Sequence, residues 1–107
     1  MGNRVYKLRY LPLFVSDMEE ILDYFMFNFK NPDAASHFLD QVETAIRKRL
    51  NYPEAFEPYD GRAMVGKYPY YRIYVGNYTI YYVVIEDVME VRRILYSKRN
   101  MEQILDK

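Results

Sequence analysis

The segment YPYYRIYVGNYTIYYVVIEDVMEVRRILYSKRN, residues 68–100, decides the fold of this chain because it predicts three consecutive strands. It contains eight of the 13 tyrosines, and tyrosine and β-branched residues favour the half-buried surface of a sheet. Gly76-Asn77 and Glu86-Asp87 predict tight turns, so the strands are expected to be antiparallel. We place the strands, in chain order, at about 69–75, 78–85 and 88–96.

The second and third of these strands carry further information. Residues 78–85 are apolar on both faces, so this strand is expected to be central and at least partly covered on both sides. The last strand ends in Ser97-Lys98-Arg99-Asn100, and a tyrosine-rich sheet with a basic tip suggests a recognition surface. Strict alternation in this strand gives one face with Met89, Val91, Arg93 and Leu95, and the other with Val88, Glu90, Arg92, Ile94 and Tyr96.

The first half of the chain predicts one strand followed by two helices. Val5 to Tyr10 alternates between apolar and polar residues, as in a half-buried strand. Ser16-Asp17-Met18-Glu19 matches a capping box and predicts a helix at about 16–29. Asn31-Pro32-Asp33 predicts the start of a second helix, at about 33–50. The short connection between the two favours an antiparallel helical hairpin.

The predicted fold class is therefore α+β, in the order β-α-α-β-β-β, with residues 53–67 as a loop. A small antiparallel sheet carries the helical hairpin on one face. The other face is expected to be open, with its Tyr and Arg side chains exposed to a partner.

Composition limits the class of protein. The 107 residues predict one domain, 1–107, and an apolar fraction of one half disfavours a disordered chain. The sequence contains no cysteine and therefore predicts neither a disulfide framework nor a cysteine-ligated metal site. The absence of cysteine suits a reducing cytoplasm. With 15 basic and 15 acidic residues, the zero net charge disfavours a general nucleic-acid binder. The longest apolar run, Tyr78 to Ile85, is too short to span a bilayer. We expect neither a metal nor a cofactor.

Two further groups of polar side chains are best interpreted as structural. His37 is the only histidine and is expected at the surface. An acidic run in the first helix is expected to form a solvated face near the helix N-terminus; it consists of Asp17, Glu19, Glu20 and Asp23.

Several local patterns, in their order and spacing, match a known family. They are Tyr6-Lys-Leu-Arg-Tyr-Leu-Pro-Leu13 with Asp17-Met-Glu-Glu-Ile-Leu-Asp-Tyr24, Asn31-Pro-Asp-Ala34 with Phe38-Leu39, Asn51-Tyr-Pro-Glu54 with Pro58-Tyr59, and Tyr71-Arg-Ile-Tyr-Val-Gly-Asn-Tyr78 with Arg93-Ile-Leu-Tyr-Ser-Lys-Arg-Asn100. On these residues the chain resembles, over nearly its whole length, the RelE/ParE family of bacterial toxins from type II toxin–antitoxin modules. The resemblance implies growth inhibition and a separate cognate antitoxin, with which the toxin forms a hetero-oligomer.

The resemblance leaves the cellular target open between two subgroups. The ribonuclease members are similar in using an Arg early in the strand after the hairpin turn, where this chain has Thr79. They also use a C-terminal Tyr or His, which residues 101–107 lack, and a basic residue that Arg99 matches. These departures favour the ParE side, whose members inhibit DNA gyrase. The alternatives are a ribosome-dependent mRNA endoribonuclease and a degenerate, non-toxic family member.

The candidate contact residues follow from this reading. We assign no catalytic residue, because the available cations lack an acid–base pair. The residues expected to contact the target are Arg93, Lys98, Arg99 and Arg72. Those expected to line an exposed groove for the antitoxin are Tyr71 and Tyr78.

Overall fold

The computed structural model describes residues 5–99 and 104–105 of the chain. The predicted α+β fold is confirmed, and the predicted loop contributes a small additional hairpin. The elements are β1 (Lys7–Tyr10), α1 (Pro12–Asn28), α2 (Pro32–Arg49), β2 (Met64–Val65), β3 (Tyr68–Pro69), β4 (Tyr71–Val75), β5 (Tyr78–Ile85) and β6 (Val88–Tyr96).

The main sheet has four strands in the order β1-β6-β5-β4. The pairs β4–β5 and β5–β6 are antiparallel, and Gly76 at the first turn has a φ of +57° that glycine adopts without strain. The strand β1 adds a parallel pair with β6, in which Leu8 lies opposite Met89. The first strand of the chain therefore lies beside the last.

The helix α1 begins at Pro12, four residues earlier than the capping box predicted. Its N-cap is Leu11, which is extended and makes no side-chain cap, while Pro12 supplies the φ that suits a first helical position. The Leu11 N–H donates to the carbonyl of Val91 at 3.0 Å, so the chain passes directly from sheet to helix. The prediction that Ser16 caps the N-terminus of this helix is therefore wrong. The cap of α2 is confirmed, because Asn31 Oδ1 accepts from the Ala34 N–H at 3.1 Å.

The helical hairpin packs on one face of the sheet, as predicted. Its apolar stripe includes Met18 on α1 and Val42 and Ile46 on α2. It meets Ile80 and Tyr82 of β5, which are fully buried. Neither described helix combines the length and hydropathy that a bilayer span requires.

The opposite face of the sheet is covered, so the prediction of an open face is wrong. A second apolar cluster there contains Ala63, Tyr70, Tyr81, Val83, Leu95 and Leu105. The cover comes from the segment around β2 and β3 and from the turn at Leu105. Because β5 is apolar on both faces, exposing either one would leave apolar surface in water, and the partial cover predicted for this strand is confirmed.

A β-bulge interrupts β6. Tyr82 lies opposite Val91, and Tyr81 lies opposite Arg93, which leaves Arg92 as the additional residue. The prediction that side chains alternate strictly along this strand is therefore wrong beyond Val91. The extra residue moves each later side chain to the face opposite to the predicted one. Ile94 joins the core under the helices, and Leu95 joins the second cluster.

Candidate functional site

Arg93, a predicted target contact, is bound to a carboxylate on α1. Its Nε donates to Asp17 Oδ2 at 2.8 Å and its Nη2 donates to Oδ1 at 2.9 Å. Asp17 Oδ2 also accepts from the Ile94 N–H at 3.1 Å. The hydrogen bond to Asp17 raises the pKa of the Arg93 guanidinium. Arg93 therefore ties α1 to β6. The edge of its guanidinium that carries Nε and Nη2 is occupied by Asp17.

Asp17 also corrects the interpretation of the acidic run. The residue is 8% exposed, whereas its neighbours in the run are exposed as predicted. A carboxylate at this depth requires a charged partner, and Arg93 supplies it from the other end of the chain. Spacing within α1 carries no sign of this partner.

Arg92 takes part in a separate charge network, which is centred on Glu90. Glu90, which is 5% exposed, accepts from Arg92 and from Arg9. Arg92 Nε also donates to the hydroxyl of Tyr70 at 3.2 Å. The two adjacent arginines therefore bind different buried carboxylates, although both line a small cavity beside Tyr70.

Arg72 lies at the edge strand β4 among aromatic rings. Its guanidinium carbon is 5.0 Å from the ring centre of Tyr59 and 5.9 Å from that of Tyr74. Arg49 approaches the same edge from the end of α2 and donates to the carbonyl of Arg72 at 3.0 Å. Its guanidinium lies 3.6 Å above the ring of Phe56. Sequence reasoning missed Arg49 and Phe56, because no local pattern links a helix end to a loop ring.

Tyr71, predicted to line an exposed groove, is instead a core residue. It is 8% exposed, and its ring stacks on Tyr82 with 5.3 Å between centres. Tyr82 is fully buried; its hydroxyl donates to the Pro53 carbonyl at 2.7 Å and accepts from Arg49 at 2.9 Å. These bonds join α2, the following loop and β5.

Replacing Tyr82 by Phe is expected to lower the free energy of unfolding. It should also make that free energy less dependent on pH in the alkaline range. Burial raises the pKa of Tyr82 to about 12 from its usual 10.0, so the unfolded chain ionises first. Stability is therefore full below pH 10 and falls as the pH rises toward 12. The variant loses about 1–3 kcal/mol at neutral pH, because Pro53 and Arg49 lose a partner.

Urea unfolding at neutral pH and across this alkaline window measures both effects. The matched control is Tyr74→Phe, since Tyr74 is 65% exposed. A Tyr82→Phe variant with the stability and pH dependence of the parent would contradict the expected role of the hydroxyl.

Lys98 and Arg99, the other predicted target contacts, are exposed in the turn that follows β6. The Ser97 N–H donates to the Asn77 carbonyl at 2.8 Å, and the Arg99 N–H donates to the Tyr96 carbonyl at 3.0 Å. These bonds hold the turn beside the β4–β5 hairpin turn. Within residues 5–99 and 104–105, neither side chain forms an ion pair. We call Lys98 and Arg99 the basic tip.

Tyr78, the second predicted groove residue, lies at the same end of the sheet. It lines a cavity of about 460 Å³, which we call the aromatic cavity. The Tyr78 and Tyr96 ring centres are 5.8 Å apart. Burial raises the pKa of Tyr78, with smaller contributions from the Tyr24 and Tyr96 hydroxyls. The cavity is lined by Tyr24, Phe25, Phe29, Asn77, Tyr78 and Tyr96.

Thr79 and His37 are two further polar side chains that the sequence singled out. Thr79 is 2% exposed and its hydroxyl is hydrogen-bonded to that of Ser97 at 2.8 Å. His37 lies exposed on α2, as predicted. In the described part of the chain, no three His, Cys, Asp or Glu side chains come together as a metal site would require.

Comparison with known proteins agrees with this fold. A family model described as the ParE toxin of the type II toxin–antitoxin system parDE matches residues 8–101. Among solved structures, the chromosomal ParDE system from P. aeruginosa superposes with a TM-score of 0.72 at 10% identity, covering 89% of this chain and 99% of that one. At such identity the likeness shows the fold alone.

Two archaeal complexes are also similar. The RelB–RelE antitoxin–toxin complex from Methanococcus jannaschii has a TM-score of 0.51 and 27% identity, covering 84% of this chain and 91% of that chain. The RelE–RelB complex from Pyrococcus horikoshii OT3 has a TM-score of 0.51 and 20% identity, covering 90% of this chain and 99% of that chain. No curated protein matches the chain in sequence.

Proposed function

Since this chain belongs to the ParE toxin family of type II toxin–antitoxin systems, we propose that it arrests bacterial growth by binding and poisoning DNA gyrase. A cognate antitoxin neutralises it by binding the folded toxin. The similar solved structures include toxin–antitoxin complexes, which supports a protein partner of this kind.

The observation that carries the choice of target is the buried hydroxyl of Thr79. Cleavage of RNA by its 2′-hydroxyl requires a proton acceptor, a proton donor and cations for the phosphorane. In the ribonuclease members an Arg takes the place of Thr79, and here that position is 2% exposed and hydrogen-bonded to Ser97. The basic tip supplies exposed cations, which suit contact with a protein surface.

A ribosome-dependent mRNA endoribonuclease is the second candidate. The observation that favours it is the likeness to the RelB–RelE complex at 27% identity, together with an exposed Arg99 at the end of the last strand. A degenerate member that binds its antitoxin without toxicity is the third. Two experiments, on growth and on the order of cellular events, distinguish these three candidate functions.

Induced expression of the chain alone is expected to arrest bacterial growth. Co-expression with the product of the neighbouring reading frame, where an antitoxin would be encoded, should restore it. Growth is followed by optical density and colony counts, with soluble protein measured in parallel. Normal growth of cells that contain the folded protein would contradict the toxin function and support the degenerate, non-toxic family member.

Arrested cells are expected to stop DNA replication and induce DNA-damage signalling before messenger RNA declines. The reason is that a poisoned gyrase leaves DNA breaks, whereas the Arg that the ribonuclease members use for RNA cleavage is replaced here by the buried Thr79. Incorporation of labelled thymidine, a damage-response reporter and transcript sequencing over one time course measure the order. Early cuts at fixed codon positions in ribosome-bound transcripts would support the ribonuclease instead.

A further inference from the structure

The residue before the basic tip, Ser97, joins the turn after β6 to the sheet by two hydrogen bonds. Its N–H donates to the Asn77 carbonyl at 2.8 Å, and its hydroxyl is hydrogen-bonded to that of Thr79 at 2.8 Å. Asn77 lies in the turn between β4 and β5, and Thr79 lies near the start of β5. One bond therefore uses the main chain of Ser97, and the other uses its side chain.

The burial of Thr79 makes the side-chain bond important. Thr79 is 2% exposed, and Leu95, which lies opposite it on β6, is also 2% exposed. A hydroxyl in such apolar surroundings is costly when it lacks a hydrogen bond. Ser97 itself is exposed, so its hydroxyl links a buried position of the sheet to a turn at the surface.

The turn that carries the basic tip is closed by a further main-chain bond. The Arg99 N–H donates to the Tyr96 carbonyl at 3.0 Å, which makes Ser97 and Lys98 the two central residues of a four-residue turn. A change in the Ser97 side chain therefore acts at the centre of the turn, while both main-chain bonds can still form.

A turn that is already ordered favours binding by the side chains it carries. Fixing the backbone of one residue at the moment of binding weakens affinity by about 5- to 30-fold. A backbone ordered in the free protein avoids this loss. The long side chains of Lys98 and Arg99 are exposed, so the backbone of the turn is the part that the fold can order in advance.

We propose that Ser97 is a positioning residue for target binding. Its hydroxyl, bonded to that of Thr79, holds the turn so that Lys98 and Arg99 meet the target from a fixed backbone. Ser97 acts through these two residues and makes no contact with the target. The role in target binding rests on the proposed function, whereas the ordering of the turn does not.

Two variants of the full chain, Ser97→Ala and Ser97→Thr, test the proposal. Backbone ¹⁵N relaxation by NMR measures the order of the Lys98 and Arg99 amides, and surface plasmon resonance measures affinity for purified bacterial DNA gyrase. Ser97→Ala is expected to lower the order of both amides and to weaken binding by about 5- to 30-fold. Ser97→Thr retains a hydroxyl and should retain both properties of the parent.

Two controls separate positioning from other effects. Ser36→Ala removes an exposed serine hydroxyl from α2 and should change neither the order of the tip nor the affinity. Tyr82→Phe lowers the stability of the whole fold from a position in its core, and the folded variant should keep an ordered tip and the affinity of the parent. Thermal melting confirms that each variant is folded at the temperature of the measurements.

A Ser97→Ala protein with the amide order of the parent would overturn the proposal, and so would one with a loosened tip and unchanged affinity. Loss of affinity in Ser97→Thr equal to that in Ser97→Ala would also overturn it. A parent chain that does not bind gyrase would contradict the proposed function and remove the role of Ser97 in target binding. The NMR comparison would then still decide whether the Ser97 hydroxyl orders the basic tip.

Discussion

Replacing Asp17 by Ala is expected to lower the free energy of unfolding by about 3 kcal/mol. Asp17 is 8% exposed and binds both the Arg93 guanidinium and the Ile94 N–H. Its removal leaves a largely buried cation and a backbone donor without their acceptor, and both are costly away from water. Urea unfolding at neutral pH measures the change.

Two further variants isolate the charge pair. Asp23→Ala removes an exposed carboxylate from the same helix and should change stability by no more than about 0.5 kcal/mol. The double variant Asp17→Ala, Arg93→Met should be more stable than Asp17→Ala alone, because it no longer buries an unpaired cation. An Asp17→Ala protein as stable as the Asp23→Ala control would refute this account of α1 docking.

Replacing both Lys98 and Arg99 by Ala is expected to abolish most of the toxicity while leaving the fold intact. A hydrogen bond to a charged group contributes about 1.5–3 kcal/mol, and each 1.4 kcal/mol is a tenfold change in affinity, so each lost contact weakens target binding about 10- to 100-fold. Both side chains are exposed, so their loss should barely change stability. Growth after induction and the melting temperature are measured together.

The matched control is Lys48→Ala, Lys67→Ala, which removes two exposed lysines from other parts of the surface. It should remain toxic. If the Lys98, Arg99 variant folds normally and still arrests growth as the parent does, the target-binding surface lies elsewhere, and Arg72 with its neighbouring rings becomes the next candidate.

Local features of the chain were predictable from sequence. The strands β4, β5 and β6 follow from tyrosine-rich runs and from the Gly76-Asn77 turn, and α2 begins where Asn31 caps it. Each of these signals acts within a few residues of its effect. The start of α1 was missed because the capping box at Ser16 indicated a later start, whereas Pro12 is the first residue of the helix.

Contacts between distant parts of the chain were not predictable. Asp17 looked like one more exposed acid because its partner Arg93 lies 76 residues away. The bulge at Arg92 also has no local signature, and without it Leu95 and Ile94 were assigned to the wrong faces. Of the candidate site, the exposed basic tip was readable from its place after the last strand, whereas the burial of Tyr71 depends on its stacking with Tyr82.

The pairing of β1 with β6 has a consequence for how the toxin is made. Arg9 and Glu90, which meet across that pair, are 81 positions apart in the chain. At a synthesis rate of about 5–20 residues per second, this interval takes about 4–16 s of elongation. Throughout it the nascent chain lacks β6, the strand to which Asp17 of α1 is bound through Arg93, and the basic tip follows β6 in the chain. We therefore expect a nascent chain that stops before β6 to carry neither a docked α1 nor the basic tip.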